Sequence, residues 1–274
     1  MSEDSLVVYE TTDHVTTLRM NDPRRLNGWT KPMMDALSEA FARAAADEDT
    51  RVVILTGTDP YYCAGVNLGA VIELQHPKIL HDFIRTQNQS LFDMFLEFPK
   101  PILVAANGPA IGASVTTATL CDGIVASEEA TFSTPFARLG VPAEGCSSVT
   151  FEVMFGAETA QRMLGAEGWK PTGAEAHAIG MAGWVVPHDA LMDKAQMIAR
   201  EWVDEGKNRA YPAGMTRDEL MAVNARESVA IADAFLGAAF LKNQYEFLWS
   251  KNKRGPAMMF LALWLTRPLW SKLL

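Results

Sequence analysis

The sequence predicts an α/β fold. Two apolar runs, residues 51–56 and 101–106, read as buried strands. Each leads into a glycine-containing turn, and segments with helical periodicity alternate with strands along most of the chain. Residues 6–9 and 15–20 read as the first two strands, the second with apolar–polar alternation. Residues 31–47 read as an amphipathic helix with Met34, Leu37, Phe41 and Ala45 on one face and Thr30 as its N-cap. After the strand at 51–56, residues 79–98 repeat the helical pattern through Leu80, Phe83, Ile84, Leu91 and Phe95. The strand at 101–106 is followed by a helix opening at Gly112 and a strand at 123–126. Thr172-Gly173-Ala174-Glu175 has the form of a capping box, and residues 190–204 read as a further helix. Residues 205–216, with Gly206, Pro212 and Gly214, make the best linker candidate. The remainder reads as helical, which divides the chain into a core at 1–204 and a helical region at 205–274.

Composition narrows the class. The chain has 274 residues, 49% of them hydrophobic and 21% charged, which is ordinary for a globular protein. Its net charge of −9 argues against a bulk attraction to nucleic acid. Cys63, Cys121 and Cys146 have no metal-binding spacing, and five histidines show no paired ligand pattern, so no metal site is expected. An odd thiol suits a reducing compartment, the polar N-terminus is not a signal peptide, and the expected location is cytoplasmic. The final Lys272-Leu273-Leu274 is near a peroxisomal tripeptide without being one.

The two turns carry the chemistry. They are Cys63-Ala64-Gly65-Val66-Asn67-Leu68 and Asn107-Gly108-Pro109-Ala110-Ile111-Gly112-Ala113. Small residues let a ligand approach the backbone, and a helix start leaves amide N–H groups unpaired. Two such donors meeting at one carbonyl oxygen would stabilise an enolate.

With Tyr62 preceding the first turn, these motifs resemble the two signatures of the crotonase (enoyl-CoA hydratase/isomerase) superfamily. Asn21-Asp22-Pro23, Asn27, Leu120-Cys121-Asp122 and Thr131-Phe132 extend the match over roughly residues 5–204. The resemblance implies a spiral of ββα units with a C-terminal helical trimerisation region, an acyl-CoA thioester substrate with no separate cofactor, and a homotrimer or dimer of trimers. It places the oxyanion-hole N–H groups on Val66 and Ala113. It also points to Arg25, Leu26, Ala64, Gly65, Leu68, Gly112 and Phe136 as substrate- or CoA-binding positions. Arg24, Lys31, Lys251, Lys253 and Arg254 are further candidate cations for the CoA phosphates, though each alone reads more readily as ordinary surface charge.

The hydratases of this superfamily use two carboxylates, and those positions fall here on Thr116 and Phe136, neither an acid. Pro142-Ala143-Glu144-Gly145-Cys146 is similar instead to the stretch bearing the single catalytic glutamate of peroxisomal-type Δ3,Δ2-enoyl-CoA isomerases. Glu144 is therefore the expected proton carrier of a double-bond isomerase. The alternatives are an enoyl-CoA hydratase of β-oxidation using Glu144 alone, or a non-catalytic acyl-CoA-binding homologue.

The tail departs from the family pattern. Met258 to Leu265 is an unbroken apolar run too short to span a bilayer. It is expected to form a helix that buries Met258, Leu261 and Leu265 on the protein or a neighbouring subunit and stops at Pro268. A membrane-surface helix is the less favoured reading.

Overall fold

The computed structural model describes residues 5–66 and 75–274. The chain opens with a hairpin, β1 (Val7–Thr12) and β2 (Val15–Met20), and then α1 (Lys31–Ala46), whose N-cap Thr30 accepts the Met33 N–H. Next come β3 (Val52–Gly57), α2 (Pro77–Glu97), β4 (Ile102–Ala106), the short β5 (Ala110–Ile111) and α3 (Ala113–Thr119). After β6 (Gly123–Ser127) and β7 (Phe132–Ser133) follow α4 (Phe136–Leu139), α5 (Ser147–Phe155), α6 (Ala157–Leu164) and α7 (Gly173–Ala178). The capping box of α7 forms as the sequence predicts. β8 (Trp184–Val186) and α8 (Leu191–Asp204) complete this part. Three helices end the chain: α9 (Arg217–Phe235), α10 (Ala238–Ser250) and α11 (Arg254–Trp270).

The main sheet has the order β1-β2-β3-β4-β6-β8. Only the β1–β2 pair is antiparallel. The period of two sends alternate residues of each strand to opposite faces. Val53, Leu55 and Val104 enter the core under α1 and α2, while Val52, Ile54 and Leu103 pack against Ile198 and Trp202 of α8. Coverage on both faces explains why β3 and β4 read as continuous apolar runs.

It also corrects the alternation expected in β2. That strand is buried everywhere except Arg19. Thr16 and Thr17 are tolerated inside because the Thr16 hydroxyl meets that of Thr50 at 2.6 Å and the Thr17 hydroxyl accepts from Gln196 at 3.1 Å.

A second, smaller layer runs beside the sheet. Parallel pairings link Trp29 to Val66, Cys63 to Ala110, and β5 to β7. Each repeat thus contributes one long strand to the main sheet and one or two residues to this layer. The layer brings the two glycine turns together.

Residues 205–216 are tied to the core rather than loose. Arg209 donates to Asp122 Oδ2 at 2.7 Å and to the Leu120 carbonyl, and Ala210 N–H donates to Asp122 Oδ1. Both partners are buried, Arg209 at 6% and Asp122 at 0% side-chain exposure. Asp122 also accepts the Ile102 N–H, fixing the entry to β4.

The tail is helical, but the expected buried face is the wrong one. Ala257 and Phe260 are buried, whereas Met258 and Leu265 are 51% and 65% exposed and Leu261 is half-buried. The inner face is chosen by α10: Phe260 meets Phe240 edge-on at 6.3 Å. Arg267 donates to the Leu236 carbonyl, closing the turn against α9. Pro268 lies inside the helix, which continues to Trp270. Among the described residues no helix is long and apolar enough to cross a membrane.

Candidate active site

The first turn leaves β3 and crosses the start of α3. Gly65 has φ +80, and a Cβ there would overlap the Ile111 carbonyl oxygen, so only glycine fits without displacement. The turns are stitched by Ile111 N–H donating to Cys63 O at 3.0 Å and by the Ser114 hydroxyl donating to the same oxygen at 3.1 Å. Gly112, at φ +62, donates its N–H to Ser133 O and caps α3. The next residue, Ala113, is the first of the helix. Among the described residues neither the Val66 nor the Ala113 amide donates to a protein acceptor. Two adjacent turns therefore offer free N–H groups.

The other expected binding residues divide. Leu26 O accepts the Ala64 N–H at 3.0 Å and Gly65 O accepts the Trp29 N–H at 2.8 Å, so Ala64 and Gly65 are joined to the segment that follows Arg25. Arg25 is exposed and pairs with Asp22 at 3.3 Å. Leu68 lies outside the described residues. Phe136 is buried beside Leu80, Ile84 and Ile231, behind the wall of the cavity rather than on its surface.

That cavity, about 460 Å³, lies between α1, α2 and α9. Its walls are largely apolar, through Met34, Phe83, Leu91, Met94, Ile231 and Phe235, and both Val66 and Glu144 open onto it. Lys31 sits at its edge, paired with the exposed Asp35 at 2.7 Å. Lys251, Lys253 and Arg254 lie instead at the turn between α10 and α11, where Arg254 covers the Trp249 ring.

Glu144 follows α4 in a loop that ends in two left-handed residues, Gly145 (φ +65) and Cys146 (φ +64). The Ser147 hydroxyl donates to Glu144 O at 2.7 Å, and Asn88 Nδ2 donates to Glu144 Oε2 at 2.6 Å. Asn88 is oriented in turn by Ser228, whose hydroxyl donates to its Oδ1 at 2.9 Å. Asn224 Nδ2 donates to Asp93 and to Gln89 O further along the seam between α2 and α9. The carboxylate keeps an opening to the cavity but is otherwise enclosed by protein. Burial pushes its pKa up to about 7; the Asn88 hydrogen bond opposes this and the nearby Glu227 charge adds to it.

Thr116 is buried, donates to Ala113 O at 3.2 Å, and lies against Gly145. Among the described residues the acids lining the cavity are Glu144 and the exposed Asp35. No group of three His, Cys, Asp or Glu residues among them could hold a metal ion. Ser127, His188 and Asp59 form a row of contacts at 3.2 and 3.1 Å, but Ser127 is fully buried at the end of β6 and its oxygen already accepts the Glu129 N–H. That row secures loops.

Sequence reasoning did not single out Asn88, Asn224, Glu227 or Ser228. A signal was present: the apolar stripe of α2 runs from Leu80 and Ile84 to Leu91 and Phe95, and Asn88 occupies the skipped position.

The enoyl-CoA hydratase/isomerase family model matches residues 10–232. The chain belongs to this family. It is 37% identical over 262 residues to enoyl-CoA delta isomerase 2 of Rattus norvegicus, covering 87% of this chain and 62% of the relative. It is 30% identical over 266 residues to enoyl-CoA delta isomerase 3, peroxisomal, of Mus musculus, covering 92% and 80%. The chain thus spans less than two thirds of the rat protein. A crystal structure of an enoyl-CoA hydratase/isomerase from Pseudoalteromonas atlantica aligns with a TM-score of 0.76 at 25% identity, over 89% of this chain and 97% of that one. The crotonase fold follows from these matches.

Proposed function

We propose that this chain is a Δ3,Δ2-enoyl-CoA isomerase. The observation that carries the reading is one enclosed carboxylate, Glu144, facing an apolar cavity, while the two positions at which the hydratases carry their acids hold the buried Thr116 and Phe136. Glu144, ionised, removes a proton from the α-carbon of a 3-enoyl-CoA. Charge moves to the thioester oxygen, where the Val66 and Ala113 amides receive it, and the Glu144 acid then returns the proton to the γ-carbon. No atom is gained or lost. Positioned proton transfer of this kind contributes ~10²–10⁴ in rate, and one oxyanion donor is worth about 3–4 kcal/mol. The apolar walls keep water from the dienolate. CoA takes the positions that the family resemblance points to, Arg25, Leu26, Ala64 and Gly65, beside Val66 at the cavity, and no separate cofactor takes part. The names of the rat and mouse relatives support the same reading.

Purified protein should isomerise 3-enoyl-CoA much faster than it hydrates 2-enoyl-CoA. Glu144→Gln should abolish most turnover and leave acyl-CoA affinity nearly unchanged, because glutamine keeps the shape without the proton. Hydration as fast as isomerisation, or a fully active Glu144→Gln, would overturn the reading.

A further inference from the structure

Glu227 is a buried acid that the chemistry above leaves unused. It lies on the inner face of α9 and is 6% exposed. A carboxylate in such a place requires partners, and backbone amides serve both oxygens: Cys146 N–H donates to Oε2 at 2.6 Å and Ser148 N–H donates to Oε1 at 3.0 Å. Both amides belong to the turn that leaves Glu144 and opens α5. Gly145 enters the left-handed region freely; Cys146, with a side chain, does so only when its surroundings hold it there. On the opposite side the turn has no slack, since a Cβ on Gly145 would overlap the Phe92 ring and the Thr116 hydroxyl. The turn is thus held at Gly145 by α2 and α3, and at Cys146 and Ser148 by α9, through the Glu227 carboxylate and the Leu220 carbonyl, which accepts from Cys146 Sγ at 3.3 Å.

Resting on the assignment of Glu144 as the proton carrier, we propose that Glu227 is a positioning residue, whose carboxylate reaches across from α9 to lock the Gly145–Cys146 turn and so aims Glu144 into the acyl cavity. Its charge has a second effect. A negative neighbour raises the pKa of Glu144, in the same direction as burial. The other charged and titratable groups around the pair are Arg226 of α9, Asp93 of α2 and Cys146 in the turn, while Asn88 is neutral. Burial pushes the Glu227 pKa up, while the N–H groups donated to both of its oxygens oppose this and favour the ionised form.

The test compares the parent with Glu227→Gln, Glu227→Asp and Glu144→Gln, using 3-enoyl-CoA and, independently of substrate, the ¹³C carboxyl signal of Glu144 in glutamate-labelled protein. Glutamine removes the charge and turns an N–H donor toward an amide. It is expected to lower kcat by about 10²-fold with KM little changed, as a misaimed catalytic group does. The titration midpoint of Glu144 should move to lower pH in both the kcat/KM profile and the ¹³C signal. Glu227→Asp keeps the charge but withdraws from the amides, so kcat should fall while the midpoint holds. Unchanged kcat and midpoint in Glu227→Gln would overturn the proposal. So would a loss of stability in which kcat and KM deteriorate together with the midpoint unmoved. If Glu227→Gln does not fold, an unimpaired kcat in Glu227→Asp overturns it alone. A fully active Glu144→Gln would instead defeat the isomerase assignment, and the ¹³C titration would still test the contact.

Discussion

Burial pushes the Glu144 pKa up to about 7, and the carboxylate must be ionised to act as the proposed base. For the proposed isomerase reaction, kcat/KM is therefore expected to rise about tenfold per pH unit below ~7 and level off above it, as a base in the free enzyme would require. Asn88 donates to the carboxylate and favours its charged form, so Asn88→Ala should move that limb to higher pH and lower the plateau. A pH–rate profile of the two proteins checks both statements. The shift also acts on stability. Between its ordinary value of 4.5 and about 7 the folded state binds the Glu144 proton more tightly than the unfolded chain, so stability falls as pH rises through that window. Glu144→Gln should then melt higher than the parent at pH 8. Glu144 was legible in the sequence because a motif frames it. Asn88 and Glu227 were not, because their roles arise only where α2 and α9 come within reach of the same loop, more than 50 residues from one and 80 from the other.

Among the elements, strands and caps were the most readable. Residues 51–56 and 101–106 became β3 and β4 because doubly covered parallel strands leave long apolar runs, and Thr30 and Thr172 capped helices through local hydrogen bonds. Residues 205–216 carry glycine and proline and read as a linker, yet the buried side-chain pair Arg209–Asp122 ties them to the core. No local pattern marks a pair whose members lie 87 residues apart. Removing one member of such a pair leaves a buried charge alone, so Arg209→Ala is expected to destabilise the protein by about 3–5 kcal/mol. Chemical denaturation measures this. A loss under 1 kcal/mol would mean that water replaces the guanidinium at Asp122.

For the molecule as a whole, the question is what covers α11. Its inner face holds Ala257 and Phe260 against α10, and this part belongs to the monomer. Its outer face, Met258, Leu265 and Leu269, is 51 to 76% exposed, with Phe247 and Trp249 also exposed on α10. Apolar residues on both sides of one helix gave the sequence no means of choosing the inner face, since the choice depends on where Phe240 stands. An exposed apolar patch is expected to be covered, and the homotrimer or dimer of trimers that the family resemblance implies would supply a second copy of the chain as its occupant. The two faces can be separated by experiment. Removing residues 257–274 strips Phe260 and its neighbours from the core, each large side chain worth about 1.5–3 kcal/mol, and should lower Tm sharply. Leu265→Glu should leave the monomer fold and its Tm at high dilution intact, yet weaken assembly in sedimentation velocity. If Leu265→Glu assembles like the parent but no longer binds anionic vesicles that the parent does bind, the outer face belongs to a membrane surface instead.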